Sequence, residues 1–357
     1  MKPASRILIL TPTALPTITG NAMTAERWRR GLAALGVEVE VFPVQGAEVS
    51  ELLQRLRHFA PHLIHVHHAW RSGSILLDPR VEEGYRKIPL VVSPGGTDLN
   101  VDWKLRERKE IIGQIFSRAR FIVVQSDEIS HRLQKVFPEG KENLVFISKS
   151  FVWLGDEVYD LRGAANCRQG EILFFFPAGI RPVKGNLECL QMLEKVYAAR
   201  PQIRAVFAGD PIDPGYSARF ERAIKRLQSF ARWLPPVPPQ AIRSGYQAAD
   251  IVLNASRSEG LSNALIEATA AGRPILASKI PGNRWPVLGD NGNHPMGLLY
   301  DLDDPKDFLK KAMILVDEEE VRNRLGEAGK KRGVLLPTPE EEAAQLARLY
   351  EKALDPC

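Results

Sequence analysis

Residues 249–279, "ADIVLNASRSEGLSNALIEATAAGRPILASK", place a helical pattern between two short apolar runs. The runs "ADIVLNAS" (249–256) and "RPILASK" (273–279) have the length and the branched aliphatic content of buried strands. The segment between them, "SNALIEATAAG", is rich in helix-forming residues and ends on glycine. A strand, a helix and a strand in this order form the unit of a parallel sheet, because a parallel connection needs a long crossover. The stretch therefore predicts the α/β fold class.

The same alternation of apolar runs and amphipathic helices extends along the rest of the chain. It begins with "RILILTPT" (6–13), breaks near residues 151–170 and restarts with "EILFFFPAG" (171–179). Two such series predict two doubly wound, Rossmann-like domains that face each other across a cleft, with the ligand site at the carboxyl ends of the strands. The predicted divisions are an N-terminal domain, a C-terminal domain and a last helical segment, at residues 1–160, 161–340 and 341–357.

The composition of the 357 residues is that of a globular protein with a sizeable core, since 44% are hydrophobic and 25% are charged. The longest apolar run, residues 172–180, is shorter than the roughly 18–20 residues that span a bilayer. The N-terminus leads directly into a strand pattern, so no signal peptide is expected. Three cysteines without a CxxC pair favour reduced thiols and a cytoplasmic protein.

The net charge of +5 is concentrated in the first part of the chain. Residues 1–150 contain 21 Lys and Arg against 16 Asp and Glu, whereas the rest of the chain is balanced. Such an excess is either scattered over a solvated surface or directed at an anionic partner, such as a phosphorylated acceptor or a lipid headgroup. A peripheral association with a membrane is thus left open. Basic residues are not interleaved with aromatic ones, which argues against nucleic acid as a partner.

Two glutamates flank the start of the helix in the opening stretch. Glu259 directly precedes Gly260, and Glu267 follows eight residues after Glu259. Ser262 or Asn263 is the expected cap, and the first N–H groups of a helix attract phosphate or sugar oxygens. Since Glu267 lies roughly 7.5 Å along the helix axis at ~1.5 Å per residue, the two acids could hydrogen-bond hydroxyls at both ends of one extended ligand. The alternative is that Glu259 only stabilises the helix dipole and that Glu267 is a solvated acid on the helix surface.

A second polar turn, "FPAGIRPVKGN" (176–186), follows a strand and precedes a helix. Arg181 and Lys184 lie in this turn, at the expected carboxyl edge of the sheet. A guanidinium presents a fork to phosphate oxygens and an ammonium presents a point charge, so the pair suits a diphosphate. Ordinary surface cations are the alternative.

The loop of residues 11–28 leads from the first strand to Gly20 and Asn21 at a helix start. It contains neither the GxGxxG dinucleotide fingerprint nor the GxxxxGK[ST] phosphate loop, which disfavours an NAD enzyme and a P-loop ATPase. Its backbone N–H groups could still face the cleft.

Two further strand ends carry polar residues. His68 and Arg71 follow one apolar strand, and Thr97 and Asp98 follow another. Because the carboxyl ends of parallel strands meet at one edge of the sheet, these four residues are candidate contacts at the mouth of the cleft.

The histidines of "IHVHH" raise the question of a metal site. On a strand, His65 and His67 point to one face and His68 to the other, so a three-histidine site is not expected. The DxD spacing in "DLDDP" (301–305) is typical of metal-dependent sugar transferases, but it precedes a helix and is interpreted as a helix cap. No metal is predicted.

Together these segments resemble the retaining, family-four glycosyltransferases of the GT-B fold. The resemblance covers most of the chain, and its most specific part is the E-x7-E pair with the continuation "EATAAGRPILAS". A narrower similarity to the glycosyltransferase 1 domain-containing protein 1 group, and a more distant one to bacterial selenosugar synthases, comes from "TGNAMTAERW", "GGTDLN", "GIRPVKG" and "IPGN".

The resemblance implies roles on the donor side. The first glutamate of the pair, here Glu259, contacts donor-sugar hydroxyls beside the reacting carbon, and the second, Glu267, binds the nucleotide ribose. Arg181 and Lys184 would neutralise the diphosphate leaving group, so that neither a metal nor another cofactor is needed. Backbone groups on the donor side are those of Gly260, Leu261, Ser262, Gly20 and Asn21.

The resemblance also implies a division of labour between the domains. The N-terminal domain would bind the acceptor, the C-terminal domain would bind the nucleotide sugar, and the last helix would pack back on the N-terminal domain. The acceptor side would comprise His68, Arg71, Thr97 and Asp98, and Asp98 is also counted with Glu259 and Lys184 as catalytic.

Two features depart from the family pattern. Arg181 and Lys184 are three residues apart where the family has five, which weakens the assignment of Arg181. The first loop, "TITGNAM", contains fewer glycines than is usual.

The predicted function is transfer, with retention, of a hexose or N-acetylhexosamine from a UDP- or GDP-sugar to an unknown acceptor, which the basic first half allows to be anionic or lipid-linked. The alternatives are a nucleotide-sugar epimerase of the same fold, a selenosugar- or thiosugar-type synthase acting on a small anionic acceptor, and a non-catalytic nucleotide-sugar binder. The E-x7-E pair disfavours the epimerase, and the presence of Glu259, Lys184 and Glu267 together argues against the binder. The sequence does not indicate the oligomeric state.

Overall fold

The computed structural model describes residues 5–289 and 292–355, and its contacts divide the chain into two compact units. The first unit comprises Met1–Val152 and Pro337–Cys357, and the second unit comprises Trp153–Leu336. The predicted divisions at residues 160 and 340 lie within about eight residues of these bounds. Cys167 and Cys189 are free thiols, and Cys357 lies outside the described residues.

The strands described for the first unit form one six-stranded parallel sheet in the order β2-β1-β3-β4-β5-β6. These strands are β1 Arg6–Thr11, β2 Glu38–Pro43, β3 Leu63–His67, β4 Leu90–Ser93, β5 Ala119–Val124 and β6 Leu144–Phe146. The helices that connect them are α1 Gly20–Ala34, α2 Val49–Phe59, α3 Ala69–Gly73, α4 Pro79–Tyr85, α5 Gly96–Asn100, α6 Arg106–Arg118 and α7 Asp127–Val136, with 3-10 turns at Ser74–Leu77, Asp102–Lys104 and Pro138–Asn143.

The strands described for the second unit form another six-stranded parallel sheet. These strands are β7 Ile172–Pro177, β8 Ile203–Ala208, β9 Ala231–Leu234, β10 Ile251–Asn254, β11 Ile275–Ser278 and β12 Gly297–Tyr300, and their order in the sheet is β12-β11-β10-β7-β8-β9. The helices of this unit are α8 Leu161–Ala164, α9 Asn186–Ala199, α10 Pro214–Arg226, α11 Ile242–Ala248, α12 Asn263–Ala270, α13 Pro281–Leu288, α14 Pro305–Asp317 and α15 Glu319–Leu335, with a 3-10 turn at Pro182–Lys184.

Strand β7 shows why these apolar runs form buried central strands. Phe174 and Phe176 pack into one core cluster of the second unit, whereas Phe175 packs into another, and all three are at most 1% exposed. Alternate side chains of a strand point to opposite faces, and a parallel sheet is covered by helices on both faces. The predicted α/β class with two doubly wound parallel sheets is confirmed.

Each sheet contains a point at which the chain reverses the direction in which it adds strands. In the first unit this point lies between β1 and β3, and in the second it lies between β7 and β10. In doubly wound sheets the crevice for a ligand opens at the carboxyl ends of the two strands that flank such a switch point. A ligand site is therefore expected in the loops that follow these four strands.

The last helix, α16 Pro339–Leu354, packs on α1 within the first unit. Its apolar face is buried at Leu346, Leu349 and Tyr350. A Cβ atom at Gly31 of α1 would lie 2.7 Å from the Cβ atom of Ala343, so the glycine permits the close approach of the two helices.

The contact between α1 and α16 also includes a buried charged residue, Glu342 of α16, which is only 1% exposed. Its carboxylate accepts hydrogen bonds from Arg27 Nε at 2.6 Å and from Trp28 Nε1 at 3.0 Å. The amide Nε2 of Gln125 donates a further bond at 3.0 Å. Burial opposes the charged form, but the nearby guanidinium and these hydrogen bonds prevail and hold the pKa of Glu342 below its ordinary value.

The sequence pattern did not predict the short helices α3 and α5, because five residues span less than two turns and show no periodicity. The cap prediction for "DLDDP" is confirmed, since the side chain of Asp304 accepts a bond from Lys306 N at the start of α14. None of the helices described here combines the length and the hydrophobicity that a membrane-spanning helix requires.

Candidate functional site

The switch point of the second sheet brings two sequence-predicted segments together. The turn with Lys184 follows β7, and the segment with Glu259 follows β10, and these two strands are neighbours in the sheet. The two segments also bond to each other, because Arg257 N donates to Val183 O at 2.8 Å. The two loops thus form one surface at the carboxyl edge of the sheet.

Gly185 allows the two loops to approach this closely. Its φ of +65° lies in the left-handed region, and a Cβ atom there would lie 2.4 Å from the carbonyl oxygen of Ala255. Any other residue would be strained and would also clash with the backbone at the end of β10. The glycine therefore sets the position of the neighbouring Lys184.

Lys184 and Glu259 form an ion pair in which Nζ lies 2.5 Å from Oε1. The two side chains are 18% and 13% exposed, so solvent screens the pair only in part. Glu259 Oε1 also accepts hydrogen bonds from Ser256 Oγ at 2.6 Å and from Asn254 Nδ2 at 3.4 Å. The carboxylate is thus held from several directions.

These contacts determine the charge state of Glu259. Burial alone would raise its pKa, but the charge of Lys184 and the hydrogen bonds from Lys184, Ser256 and Asn254 lower it below the ordinary value. Glu259 is therefore a carboxylate at neutral pH and can accept hydrogen bonds from hydroxyl groups.

Glu267 is the fifth residue of α12, which begins at Asn263 after its N-cap Ser262. The predicted helix start between the two glutamates is confirmed. Glu267 Oε2 accepts a 2.8 Å hydrogen bond from the hydroxyl of Tyr246, which is fully buried. Burial, together with the charge of Glu267 and this bond, raises the pKa of Tyr246 well above its ordinary value, so the phenol donates and the carboxylate accepts.

The segment between the two acids, Gly260, Leu261 and Ser262, leads into the N-terminus of α12. Ser262 is buried, and its Oγ lies 3.3 Å from Asn254 Nδ2. The first N–H groups of the helix have no partner inside the helix and carry a partial positive charge. The segment thus supplies donors beside the Lys184 and Glu259 pair.

Arg181 lies at the start of the same turn as Lys184. It is the N-cap residue of the 3-10 turn Pro182–Lys184, and its backbone N–H donates to Asn186 Oδ1 at 3.2 Å. Its side chain is half-buried. The backbone of both predicted cations therefore belongs to one short, anchored segment.

Sequence reasoning missed the polar residues that surround the two glutamates. Tyr246 lies beside Glu267, and the side chains buried behind Glu259 belong to Asn254, Ser256, Ser278 and Asn283. The signal was present, because "VLNAS", "ILASK" and "IPGN" place polar residues at the ends of apolar strands, where a purely structural strand would stay apolar.

In the first unit, Gly20 and Asn21 are the first two residues of α1, as predicted. The cap is Thr19, whose Oγ1 accepts a bond from Ala22 N at 3.2 Å and lies 2.5 Å from Thr13 Oγ1. The loop from β1 is thereby tied to the helix N-terminus.

The structure brings the remaining predicted residues of the first unit together at the ends of β3 and β4. His68 Nε2 lies 2.7 Å from Thr97 Oγ1, and His68 Nδ1 lies 2.8 Å from Asp98 Oδ1. His68 also accepts a bond from the backbone N–H of Arg71, whose side chain is exposed. These four residues form one cluster within the unit.

Asp98 lies deeper in this cluster than a direct substrate contact would require. It is 0% exposed, and its carboxylate accepts bonds from the backbone N–H groups of Ala69, Trp70 and Gly95 at 2.7–2.9 Å. These bonds tie the loop after β3 to the loop after β4. The contacts of Asp98 are thus those of a positioning residue, and the catalytic contact predicted for it stays a prediction.

The predicted orientation of the three histidines, with His65 and His67 on one face and His68 on the other, is confirmed. His65 stacks on Trp28 and bonds to Tyr350, and His67 also lies against Trp28, whereas His68 faces Thr97 and Asp98. The three rings do not converge on one point.

One group of possible metal ligands was not anticipated. His68, Asp98 and Asp102 each offer a ligand atom within 4.8 Å of the others. Asp98 already accepts three bonds from backbone N–H groups. Asp102 Oδ1 accepts a 2.5 Å bond from Arg108, whereas Asp102 Oδ2 is buried without a hydrogen-bond partner. A cation would have to compete with this guanidinium for Asp102 Oδ1 and with the backbone N–H groups for Asp98.

Comparison with known proteins connects both units to one family. Residues 160–332 match the family described as glycosyl transferases group 1, and residues 18–147 match the glycosyl transferase 4-like domain. The glycosyltransferase 1 domain-containing protein 1 of Xenopus tropicalis is 26% identical over 329 residues, which are 89% of this chain and 90% of that protein. A D-inositol 3-phosphate glycosyltransferase of Corynebacterium glutamicum is 28% identical over 184 residues, which are 50% of this chain and 43% of that protein.

Solved structures share the fold over nearly the whole chain. Sucrose-phosphate synthase from Thermosynechococcus elongatus has a TM-score of 0.81 at 17% identity, with 98% of each chain covered. The HepE protein of Anabaena, solved in complex with UDP-glucose, has a TM-score of 0.75 at 17% identity and covers 97% of this chain and 99% of its own. Since the two family matches cover residues 18–147 and 160–332, and the likeness of fold covers 98% of the chain, the chain belongs to the group 1 glycosyltransferases of the GT-B fold.

Proposed function

We propose that the chain transfers a hexose or an N-acetylhexosamine from a UDP- or GDP-sugar to an acceptor, with retention at the anomeric carbon and without a metal. The observation that carries the proposal is the ion pair of Lys184 and Glu259 at the switch point of the second sheet. The pair places a cation that can stabilise a leaving phosphate next to a carboxylate that can bind sugar hydroxyls.

Lys184 would act on the leaving group. When the bond between the anomeric carbon and the diphosphate oxygen breaks, the electron pair stays on that oxygen and negative charge develops there. An ammonium has three N–H groups, so the bond to Glu259 leaves donors for a phosphate oxygen. The N-terminus of α12, and Arg181 at the other end of the Lys184 turn, would add positive potential.

Glu259 would act on the sugar. As a carboxylate it can accept hydrogen bonds from hydroxyls next to the reacting carbon and stabilise the positive charge that develops on the sugar ring. The acceptor atom then bonds to the anomeric carbon on the face from which the diphosphate leaves, and its proton passes to the leaving phosphate oxygen.

Glu267 would bind the ribose hydroxyls of the donor. Tyr246 donates a hydrogen bond to Oε2, and a carboxylate has about four acceptor sites, so Glu267 has the chemistry to accept from a diol. Backbone N–H groups of Gly260, Leu261 and Ser262, and those of Gly20 and Asn21 in the first unit, would meet phosphate or sugar oxygens.

The cluster of His68, Arg71, Thr97 and Asp98 in the first unit would serve the acceptor. Asp98 would hold the two loops in place, while the exposed guanidinium of Arg71 would attract an anionic group. The basic excess of residues 1–150 supports an acceptor that carries phosphate or lies at a lipid surface.

A donor panel tests the proposal. The chain is incubated with UDP- and GDP-linked glucose, galactose, mannose and N-acetylglucosamine, with and without phosphorylated acceptors, and released nucleotide, donor identity and sugar product are measured together. Nucleotide release with an α-linked product from an α-linked donor supports retaining transfer. Isomerised donor without release would point to an epimerase, and tight nucleotide binding without any turnover would point to a binder.

A further inference from the structure

The N-terminal turn of α13 lies directly behind the Glu259 segment. A Cβ atom at Gly282 would lie 2.6 Å from the carbonyl oxygen of Glu259 and 2.5 Å from that of Gly260. Both distances are shorter than a carbon–oxygen contact allows, so only glycine lets this turn pack against the backbone of Glu259. The turn therefore supports the position of the Glu259 main chain.

The next residue of this turn, Asn283, reaches under the same segment with its side chain. It is 0% exposed, and its Nδ2 donates to Asn254 Oδ1 at 3.1 Å and to Ser278 O at 3.0 Å. The hydroxyl of Ser278 lies 3.0 Å from Nδ2 and donates its own proton to Ser256 O at 2.6 Å. Because every neighbour of Nδ2 is an acceptor, the amide of Asn283 has one allowed orientation.

Asn254 passes this orientation on to Glu259. Its Oδ1 accepts from Asn283 Nδ2 and from Ser256 N at 2.9 Å. With its oxygen held on that side, Asn254 must turn its Nδ2 toward Glu259 Oε1 at 3.4 Å and Ser262 Oγ at 3.3 Å. A flipped amide would place its oxygen against the carboxylate oxygen of Glu259 and its NH2 group against the donors Asn283 Nδ2 and Ser256 N.

Burying these polar side chains removes them from water, which costs free energy that their hydrogen bonds must offset. The five side chains of Asn254, Ser256, Ser262, Ser278 and Asn283 are at most 5% exposed. Well-packed apolar residues at such positions are often as stable as a buried polar network, whereas polar residues specify one orientation. What the network orients is the carboxylate of Glu259, since the donors of Asn254 and Ser256 both end there.

We propose that Asn283 is a positioning residue that acts through Asn254 on Glu259, and that the turn of Gly282 and Asn283 sets the geometry of this carboxylate for the reaction. The inference rests on the proposed transferase function. Asn283 itself would touch neither the donor nor the acceptor, and its effect would be on turnover and not on nucleotide affinity.

The test compares Asn283→Ala with Asn323→Ala, the same change at an exposed asparagine of α15. For each variant kcat and KM are measured by nucleotide release, and the Kd for UDP or GDP is measured by calorimetry. We expect kcat of Asn283→Ala to fall roughly tenfold to a hundredfold, as a small misplacement of a reacting group can cause. Its nucleotide Kd should stay within about twofold of wild type, because α12 and Glu267 remain in place.

A double-mutant cycle separates positioning from general damage. In a Glu259→Gln background, Asn283→Ala should lower kcat by less than about twofold, because the group through which it acts is already changed. If Asn283→Ala does not fold, Asn283→Ser keeps a donor of smaller size and should show the same pattern with a smaller loss.

The outcomes are distinguishable. Asn283 variants that keep the wild-type kcat, or that lose the same factor in both backgrounds, overturn the inference while the transferase function stands. Variants whose nucleotide Kd rises in step with the loss of turnover overturn it as well. A wild-type chain that turns over no donor overturns the proposed function, and this inference with it.

Discussion

Lys184 Nζ and Glu259 Oε1 lie 2.5 Å apart although 75 residues separate them in the chain. The contact exists because β7 and β10 are adjacent in the sheet and because Gly185 lets the first loop pack on Ala255. A cation and a carboxylate that are fixed this way need little reorganisation when charge develops on a leaving phosphate.

Lys184→Ala is expected to lower kcat/KM for the donor by roughly 100-fold, the loss typical of removing one group that stabilises a transition-state charge. It should also raise the pKa of Glu259, since burial raises this pKa and Lys184 is the main group that lowers it. The acid limb of the pH profile of kcat should therefore move to higher pH. Nucleotide release measured between pH 4.5 and 8 checks both effects.

Lys195→Ala, at an exposed lysine of α9, is the matched control and should leave the rate and the profile unchanged. A Lys184→Ala enzyme with a normal rate would remove Lys184 from the mechanism. A slow enzyme with an unmoved acid limb would remove only the electrostatic link to Glu259.

The two glutamates should separate binding from turnover. Glu267→Gln keeps an acceptor for Tyr246, so it avoids leaving a buried hydroxyl unpaired, but it weakens the bonds to a ribose diol. We expect its nucleotide Kd to rise about tenfold, as loss of a charged hydrogen bond does. Glu259→Gln should instead lower kcat by roughly 100-fold with little change in Kd.

Titration calorimetry with UDP and GDP, alongside steady-state kinetics, measures this split. Unchanged nucleotide affinity in Glu267→Gln would contradict the ribose assignment. If Glu259→Gln loses nucleotide affinity and keeps its kcat, Glu259 binds the nucleotide and is not needed for turnover, which contradicts its assignment.

Chelation should not affect turnover. The positive potential of the candidate site comes from Lys184, Arg181 and the N-terminus of α12. In the first unit, Asp98 accepts bonds from backbone N–H groups and Asp102 Oδ1 accepts a bond from Arg108. We expect dialysis against EDTA to leave nucleotide release within about twofold, since no step of the proposed mechanism uses a Lewis acid. Loss of activity that added Mg²⁺ or Mn²⁺ restores would refute a metal-free mechanism.

Glu342→Ala should destabilise the first unit. The substitution leaves Arg27, which is 3% exposed, without its carboxylate, and breaking a buried ion pair from one side costs about 3–5 kcal/mol. Urea denaturation followed by tryptophan fluorescence reports the change, because Trp28 also donates to Glu342. Glu340→Ala, at an exposed position of α16, should change the free energy of unfolding by less than about 0.5 kcal/mol. Equal effects of the two variants would show that the pair adds nothing to stability.

Acidification should weaken the first unit through its buried histidines. Burial lowers the pKa of His65 to about 3, whereas the ordinary value is 6.5. The unfolded chain therefore takes up a proton below pH 6.5 that the folded chain does not, and stability falls as the pH drops from 6.5 toward 3. For His65 alone the loss is about 2 kcal/mol at pH 5.

Melting temperatures of wild type, His65→Gln and His58→Gln at pH 7 and pH 5 test this expectation, since His58 is exposed on α2. The fall in Tm between the two pH values should be smaller in His65→Gln than in the other two proteins. An identical fall in all three would show that His65 does not contribute.

Much of the fold follows from local patterns. The strand and helix of residues 249–272 were predictable from local patterns. An apolar run of strand length, or apolar residues at helical spacing, depends only on residues that are close together in the sequence. The helix start at Asn263, the cap at Asp304 and the apolar face of α16 are local in the same sense. Lys184 and Glu259 were also predictable from local sequence, because each is a charged residue in the loop that follows an apolar strand.

The support behind these residues was not predictable in the same way. Asn283 acts on Asn254 across 29 residues, and Tyr246 meets Glu267 across 21, through contacts that no short pattern encodes. Asp98 could be identified as a polar residue at a strand end, but its burial under three backbone N–H groups depends on how the loops after β3 and β4 fold together.

The sequence by itself therefore determined the alternation of strands and helices, the two sheets and the charged residues at the strand ends. Only the tertiary structure decided which of these charges meet and what holds them. The physical reason is that hydrophobic periodicity is a property of neighbouring residues, whereas a hydrogen bond or an ion pair between distant residues requires the order of strands in the sheet, and this order is set by packing of the whole unit.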